Sequence, residues 1–301
     1  MGEPLPIDLF PAWILICFAV AWGAIWGSFA TVIVWRFPRD ESIVRPGSHC
    51  TGCMEPVRWY DNIPLLSYLM LGGKCRRCRT KISLIYPGIE LSSVLLALVA
   101  FHLGHESQVT LVALLTEFFI AFTFFWALFV VSLVDLDSFL IPDIVTLPGI
   151  VLFLTYNAIT SRETLLFTAI SVVGAYLLVW LAFNALYKVV SGREGMGMGD
   201  AKLLAMIAAM TGWKGALFSL IAGALQGLII NTPLLVMKKK KAAGPGGPRE
   251  TGGAEERTLL KTEVPFGPLL ALGAFEYFLW GREITGIYFC VADTIAAWVT
   301  R

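Results

Sequence analysis

Charge is scarce in this chain of 301 residues: Asp, Glu, Lys and Arg together make up 15%, where soluble domains carry about a quarter. That shortage excludes an ordinary water-soluble enzyme and a disordered chain alike. The net charge of +1 excludes a strongly basic nucleic-acid binder, because no global field draws polyanions. Basic residues are missing from the first nine positions, which hold Glu3 and Asp8, and no small-residue cleavage site follows. The first apolar run is therefore expected to be an uncleaved helix and not a cleaved secretion signal. Repeats of the kind that build solenoids are missing too. What is plentiful is apolar residues, 57% of the chain. The expected fold class is an all-α polytopic membrane protein with small soluble insertions.

A spanning helix needs about 20 mostly apolar residues. Runs of that kind lie at Phe10–Trp35, Ile85–Phe101, Val109–Val134, Ile144–Ile159, Leu165–Val190, Gly215–Met237 and Pro265–Trp280, with a shorter one at Ala201–Thr211. About eight transmembrane helices are expected, Ala201–Thr211 being either a half-helix or a helix that extends through Trp213. Ile284–Val299 is interrupted by Asp293 and reads as a ninth helix or an interfacial one. If the N-terminus is outside, the segments Arg36–Lys81, Lys188–Lys202 and Lys238–Lys261 are cytoplasmic and hold nineteen of the 23 Lys and Arg. The opposite orientation would break the positive-inside rule. Residues 238–263 contain AAGPGGPRETGGAEE, which marks a flexible loop with no core of its own. The run Lys238–Lys241 reads as an anchor for a helix end at anionic headgroups.

Of six cysteines, Cys17 and Cys290 lie in apolar runs and read as filler. The other four, Cys50, Cys53, Cys75 and Cys78, form C-x2-C, a 21-residue gap and C-x2-C inside one cytoplasmic loop. That spacing puts four thiolates around a tetrahedral zinc ion. The loop lacks aliphatic mass for a large core, so a metal would supply its folding free energy. A site closed by four cysteines is structural. Lys74, Arg76, Arg77 and Arg79 crowd the second knuckle, and their field is expected to help ionise the thiols. Disulfides are the alternative, disfavoured in a reducing cytoplasm. His49 beside Cys50 is a possible substitute ligand.

Acids are rare in the apolar part and costly there, so their positions carry information. The segment VVSLVDLDSFLIPD holds Asp135, Asp137 and Asp143; SGREGMGMGDAKLLAM holds Asp200 after Gly195, Gly197 and Gly199. With the orientation above, Asp135 and Asp200 both lie at the cytoplasmic edge of the membrane. Alternate glycines remove side-chain bulk and allow positive φ, which lets the chain closely approach another backbone or an extended peptide. Two facing carboxylates share one proton; one then acts as base on a water while the other polarises a carbonyl. That is metal-free aspartic-protease chemistry. The competing readings are helix caps and solvated acids, into which Asp137 and Asp143 fit well, and proton carriers of a transporter. Glu90 and Glu117 are further acids in apolar runs, Glu90 just inside the second helix.

The combination resembles the bacterial type IV prepilin peptidases, or leader peptidase/N-methyltransferases, membrane aspartyl proteases of the GxGD type. GSFATVIVWRFP (Gly27–Pro38) is similar to the family's G-S-F-x-N-V-x-x-x-R-x-P, with Thr31 where Asn is usual. SHCTGC, WYDNIPLLSYLMLGGKCRRC and ISLIYPGIE follow, with Thr51 and Gly52 in place of a Pro-containing knuckle. The D-x7-D ending in Ile-Pro-Asp143 and GMGMGDAKL (Gly195–Leu203) resemble the two catalytic motifs. By that resemblance Asp135 and Asp200 are the catalytic pair, and Gly197, Gly199, Asp137, Asp143, Lys202 and Glu90 support it or meet the substrate.

The resemblance implies a multi-pass enzyme of the bacterial inner membrane whose active site faces the cytoplasm. It implies cleavage of type IV prepilins or type II secretion pseudopilins after Gly, then methylation of the new N-terminus with S-adenosylmethionine. The expected divisions are a first transmembrane helix (1–35), a zinc-ribbon-like insertion that is the candidate region for methyl transfer (36–84), and a peptidase part (85–301). Asp137, Asp143, Glu55 or Asp61 are expected to meet the basic leader. No nucleic acid is expected as a partner, the bilayer is, and the alternative function is a proton-coupled transporter with a zinc-stapled cytoplasmic domain.

Overall fold

A computed structural model describes residues 6–107, 110–160, 165–181, 197–242 and 265–299. Among the described residues all regular structure is helical. The long elements are α1 (Ala12–Arg36), α3 (Ile85–Ser107), α4 (Leu111–Ser138), α5 (Asp143–Thr160), α6 (Leu165–Val179), α7 (Met198–Ala242) and α8 (Gly267–Val299), with a one-turn helix α2 (Leu66–Met70) between α1 and α3. Among the described residues, five helical stretches are long and apolar enough to cross a membrane: Ala12–Arg39, Ile85–Glu106, Leu111–Ser138, Asp143–Thr160 and Met198–Ile230. Leu165–Val179 is apolar but shorter; the rest of that expected span, 182–190, lies outside the described residues, as does 243–263 of the expected flexible loop.

Two boundaries differ from the sequence expectation. Ala201–Thr211 and Gly215–Met237 are not joined by a loop; they are two arms of α7, broken at Gly212 alone (φ 71°, ψ −177°). A residue with a Cβ would be strained there, so one glycine does the work of a connection. Pro265–Trp280 and Ile284–Val299 likewise fall in the single helix α8. Asp293 lowers the apolarity of that stretch but removes no backbone hydrogen bond, so the helix runs through it.

The chain forms two compact units, Met1–Leu140 and Ile141–Arg301. In the first, α1 lies against α3 at van der Waals closeness through small residues. A Cβ on Gly27 would come 2.7 Å from Glu90 Cα, the small-residue packing by which apolar helices associate where no hydrophobic effect drives them together. On another side α1 meets α4 through aromatic rings, Trp22 with Phe119 (centroids 4.9 Å apart) and Trp26 with Trp126 (4.8 Å). Trp126 Nε1 donates to the Trp26 carbonyl at 3.0 Å, which satisfies a donor that lipid could not. In the second unit α7 is the centre, with α5, α6 and α8 all packed on it. Leu203, Leu204, Met206 and Ile207 in its first arm are fully buried.

Candidate functional site

The insertion between α1 and α3 is built around its cysteines. The Sγ atoms of Cys50, Cys53, Cys75 and Cys78 all lie within 4.8 Å of one another, and Cys50 Sγ is 3.7 Å from Cys78 Sγ. Zn–S bonds of about 2.3 Å in a tetrahedron put sulfurs about 3.8 Å apart, so this donor set fits one metal ion. His49 stands outside the set, its Nδ1 3.0 Å from the Gly47 carbonyl. The two knuckles are built alike. Cys50 N–H donates to Glu55 O and Met54 N–H to Cys50 O; 25 residues on, Cys75 N–H donates to Thr80 O and Arg79 N–H to Cys75 O. Met54 (φ 58°) and Arg79 (φ 57°) both take the left-handed conformation that turns the chain after the second cysteine.

Hydrogen bonds lower two of the thiols and desolvation raises a third, ahead of the arginine field expected from the sequence. N–H groups of Gly52 and Cys53 hold the Cys50 thiol below its ordinary range. The Thr80 side chain and backbone bring Cys78 down to about 6. Desolvation and the neighbouring thiols push Cys53 up to about 12. Arg76 and Arg77 are engaged elsewhere. Arg76 grips Asp61 with Nε (2.8 Å to Oδ2) and Nη2 (2.6 Å to Oδ1), and Arg77 pairs with Glu55 across the two knuckles. Asp61 and Glu55, expected to meet a basic leader, are each paired with an arginine of the insertion.

Glu90, five residues into α3, reaches back to the insertion: its Oε2 accepts the Leu65 N–H at 2.7 Å. Leu65 itself has a positive φ (φ 62°, ψ −48°), so the carboxylate holds the turn that launches α2. Arg36, ending α1, is 7% exposed and donates to the carbonyls of Ser42 and Gly47 at 3.0 and 3.3 Å. It ties down the strand of chain leading to the first knuckle.

Of the acids, Asp135 lies in the last turn of α4 and is 5% exposed, while Asp137 is exposed. Phe139 (φ 56°) closes that helix with its N–H on the Asp135 carbonyl at 2.9 Å. Asp200 lies in the first turn of α7 and is 9% exposed. Its N–H donates to Gly197 O at 3.1 Å. Gly197 and Gly199 do not use the positive φ open to them, which among the described glycines falls to Gly72, Gly73 and Gly212. What Gly199 supplies is room: a Cβ there would lie 2.8 Å from Ile141 Cβ. Lys202 Nζ is 2.7 Å from both carboxylate oxygens of Asp143, so these two residues form one ion pair. Gly195 lies outside the described residues. Asp135 belongs to the first compact unit, Asp200 and the Asp143–Lys202 pair to the second.

Three polar residues escaped the sequence reading. Glu276, inside α8, accepts the Gln226 amide of α7 on both oxygens at 3.0 and 2.9 Å. A lone Glu in the run Pro265–Trp280 was a signal available in the sequence. Asn157 of α5 donates to the carbonyls of Ala209 and Met210 at 2.6 and 3.2 Å, just before the break at Gly212. Arg36 was visible as the end of the first motif but not as a buried clamp.

The family model of the Bacterial Peptidase A24 N-terminal domain matches residues 21–103, and that of the Type IV leader peptidase family matches residues 122–231. A prepilin leader peptidase/N-methyltransferase of Pseudomonas aeruginosa is 34% identical over 293 residues, covering 88% of this chain and 90% of the relative. The chain belongs to the type IV leader peptidase family. Proteins of the same description from Stutzerimonas stutzeri (34% over 305 residues; 92% and 94% covered) and Neisseria gonorrhoeae (36% over 251; 75% and 84%) are similar to it as well. No solved structure matches. The peptidase segment of the family contains both Asp135 and Asp200, and its N-terminal domain contains the four cysteines. A transporter finds no counterpart among these relatives.

Proposed function

We propose that this chain is a prepilin leader peptidase/N-methyltransferase of a bacterial inner membrane. It cuts type IV prepilins, and pseudopilins of type II secretion, after Gly at the cytoplasmic face. In this reading Asp135 and Asp200 are the catalytic pair. What supports it is that each is a buried carboxylate in an end turn of a largely apolar helix, inside the segment that matches the peptidase family. One carboxylate takes a proton from water as the water attacks the scissile carbonyl. The other carries the shared proton and donates it toward the carbonyl oxygen. Collapse of the tetrahedral species breaks the C–N bond, and a proton returns to the leaving amine.

Orientation rests on the nineteen basic residues of the three cytoplasmic segments. Residues 36–84 form the insertion and 85–301 carry the peptidase chemistry. Cys50, Cys53, Cys75 and Cys78 hold zinc, which closes the insertion as a structural ion. Methyl transfer from S-adenosylmethionine rests on the name the relatives carry. Gly199, Lys202 and Asp143 support Asp200 by fixing the start of α7, and Glu90 fixes the insertion.

Mass spectrometry of a prepilin incubated with the purified protein, with and without the methyl donor, tests both activities at once. Loss of the leader after Gly is expected in both samples, and a mass gain of one methyl group only with the donor. An intact prepilin in both would overturn the reading.

A further inference from the structure

The insertion shows more apolar surface than its fold explains. In α2, Ser67 faces inward: its hydroxyl accepts from Ile63 N–H at 2.9 Å and donates to Tyr60 O at 3.1 Å. Tyr68 turns its hydroxyl to the Ile82 carbonyl at 3.4 Å. The other side chains of this single turn point away from the insertion, Leu66 57%, Leu69 75% and Met70 83% exposed. A water-facing turn would not carry three large apolar residues together.

We infer that α2 seats the insertion on the bilayer, with Leu66, Leu69 and Met70 in the boundary between headgroups and acyl chains of the cytoplasmic leaflet. This rests on the reading above that the chain spans the membrane with residues 36–84 inside. Height is the first argument. The Leu65 N–H is bonded to Glu90, and Glu90 lies five residues into a helix that spans the bilayer, about 7.5 Å along its axis at 1.5 Å per residue. The start of α2 is therefore fastened beside the outermost turns of α3 and not held out in solvent.

Continuity is the second argument. Leu91 and Leu95 of α3, which are 50% and 54% exposed, continue the helical stripe that begins at Leu84. The lipid-facing surface of the span thus reaches to the level of α2. Charge is the third: Lys74, Arg79 and Lys81 are exposed on the knuckle that follows α2, as suits anionic headgroups. A second copy of the chain or the apolar helix of a prepilin would bury the same side chains, but neither would call for the cationic rim of Lys74, Arg79 and Lys81 beside them.

The test uses the intact wild-type protein in vesicles of phosphatidylethanolamine and phosphatidylglycerol doped with a diazirine-bearing phospholipid. After photolysis and trypsin digestion, lipid adducts are expected on Leu66, Leu69 or Met70 in the peptide Trp59–Lys74 and on Leu91 or Leu95 of α3. They are not expected on Asp40–Arg58. The double variant Leu69→Glu, Met70→Glu, with zinc content as the check on folding, should lose the adduct on Trp59–Lys74 and keep that on α3. Adducts on α3 but none on Trp59–Lys74 would overturn the seating while leaving the membrane reading intact. Adducts on neither would overturn both. Protection of Trp59–Lys74 by added prepilin would overturn the seating in favour of a substrate surface.

Discussion

Asn157 Nδ2 donates to the carbonyl of Ala209 at 2.6 Å, three residues before α7 breaks at Gly212. The break leaves the last carbonyls of the first arm without intrahelical donors, and in a membrane such groups need partners. Asn157 thereby fixes the far end of the arm that begins with Asp200. Asn157→Ala should loosen that arm. Interhelical hydrogen bonds in membranes are worth about 1 kcal/mol, a rate factor of roughly five. We expect kcat for prepilin cleavage to fall by about that factor, with zinc content unchanged. An unchanged kcat would remove Asn157 from the support of the site.

Gly199 makes a sharper prediction. A methyl group there would sit 2.8 Å from Ile141 Cβ, an atom anchored to backbone that cannot swing aside. Overpacking of this kind costs about 1–3 kcal/mol. Gly199→Ala should cut cleavage roughly tenfold or more, and Ile141→Ala in the same chain should restore part of it. Failure of the second substitution to restore any activity would show that Gly199 serves something other than room.

The four cysteines predict metal-dependent folding of the insertion. Purified protein should contain roughly one zinc per chain. Cys50→Ser with Cys75→Ser should contain none and should be cleaved by protease between Arg58 and Lys81, because the free energy of metal binding is folding free energy in so small a unit. Equal protease resistance in the two proteins would contradict a structural ion.

The Asp61–Arg76 clamp predicts a pH window. Hydrogen bonds from Arg76 hold the Asp61 carboxyl below the usual carboxylate range. A carboxyl whose folded pKa is depressed contributes stability that is present above its unfolded value, about 3.9, and is lost as pH falls through the lower folded value. Protease resistance of the insertion should therefore be flat from neutral pH down to about pH 4 in this respect. Asp61→Asn should lower resistance across that whole range. Equal resistance of the variant and the wild type would show the clamp to be dispensable.

How far the sequence reading reached follows from the kind of signal. Apolar runs are local, so α1, α3, α4 and α5 fall close to where hydropathy puts them. Metal spacing is local too, and the four sulfurs do converge. Partnerships across the chain are not local. Nothing in the neighbourhood of Asp61 names Arg76, nothing beside Glu90 names Leu65, and the pairing of Asp143 with Lys202 joins residues 59 apart. Asp61, Glu55 and Asp143, which a linear reading offers to a substrate, thus each have a cationic partner within the chain. Glycine was ambiguous for a related reason: a pattern of glycines announces either positive φ or close approach, and Gly212 turned out to be the first and Gly199 the second.

The central claim is that Asp135 and Asp200 together perform the cleavage. The direct measurement is cleavage of a purified prepilin in vesicles by the wild type, Asp135→Asn and Asp200→Asn, with zinc content and membrane insertion checked for each. The account predicts that both variants insert, bind zinc and cut nothing. Cleavage by either variant at the wild-type rate would contradict it.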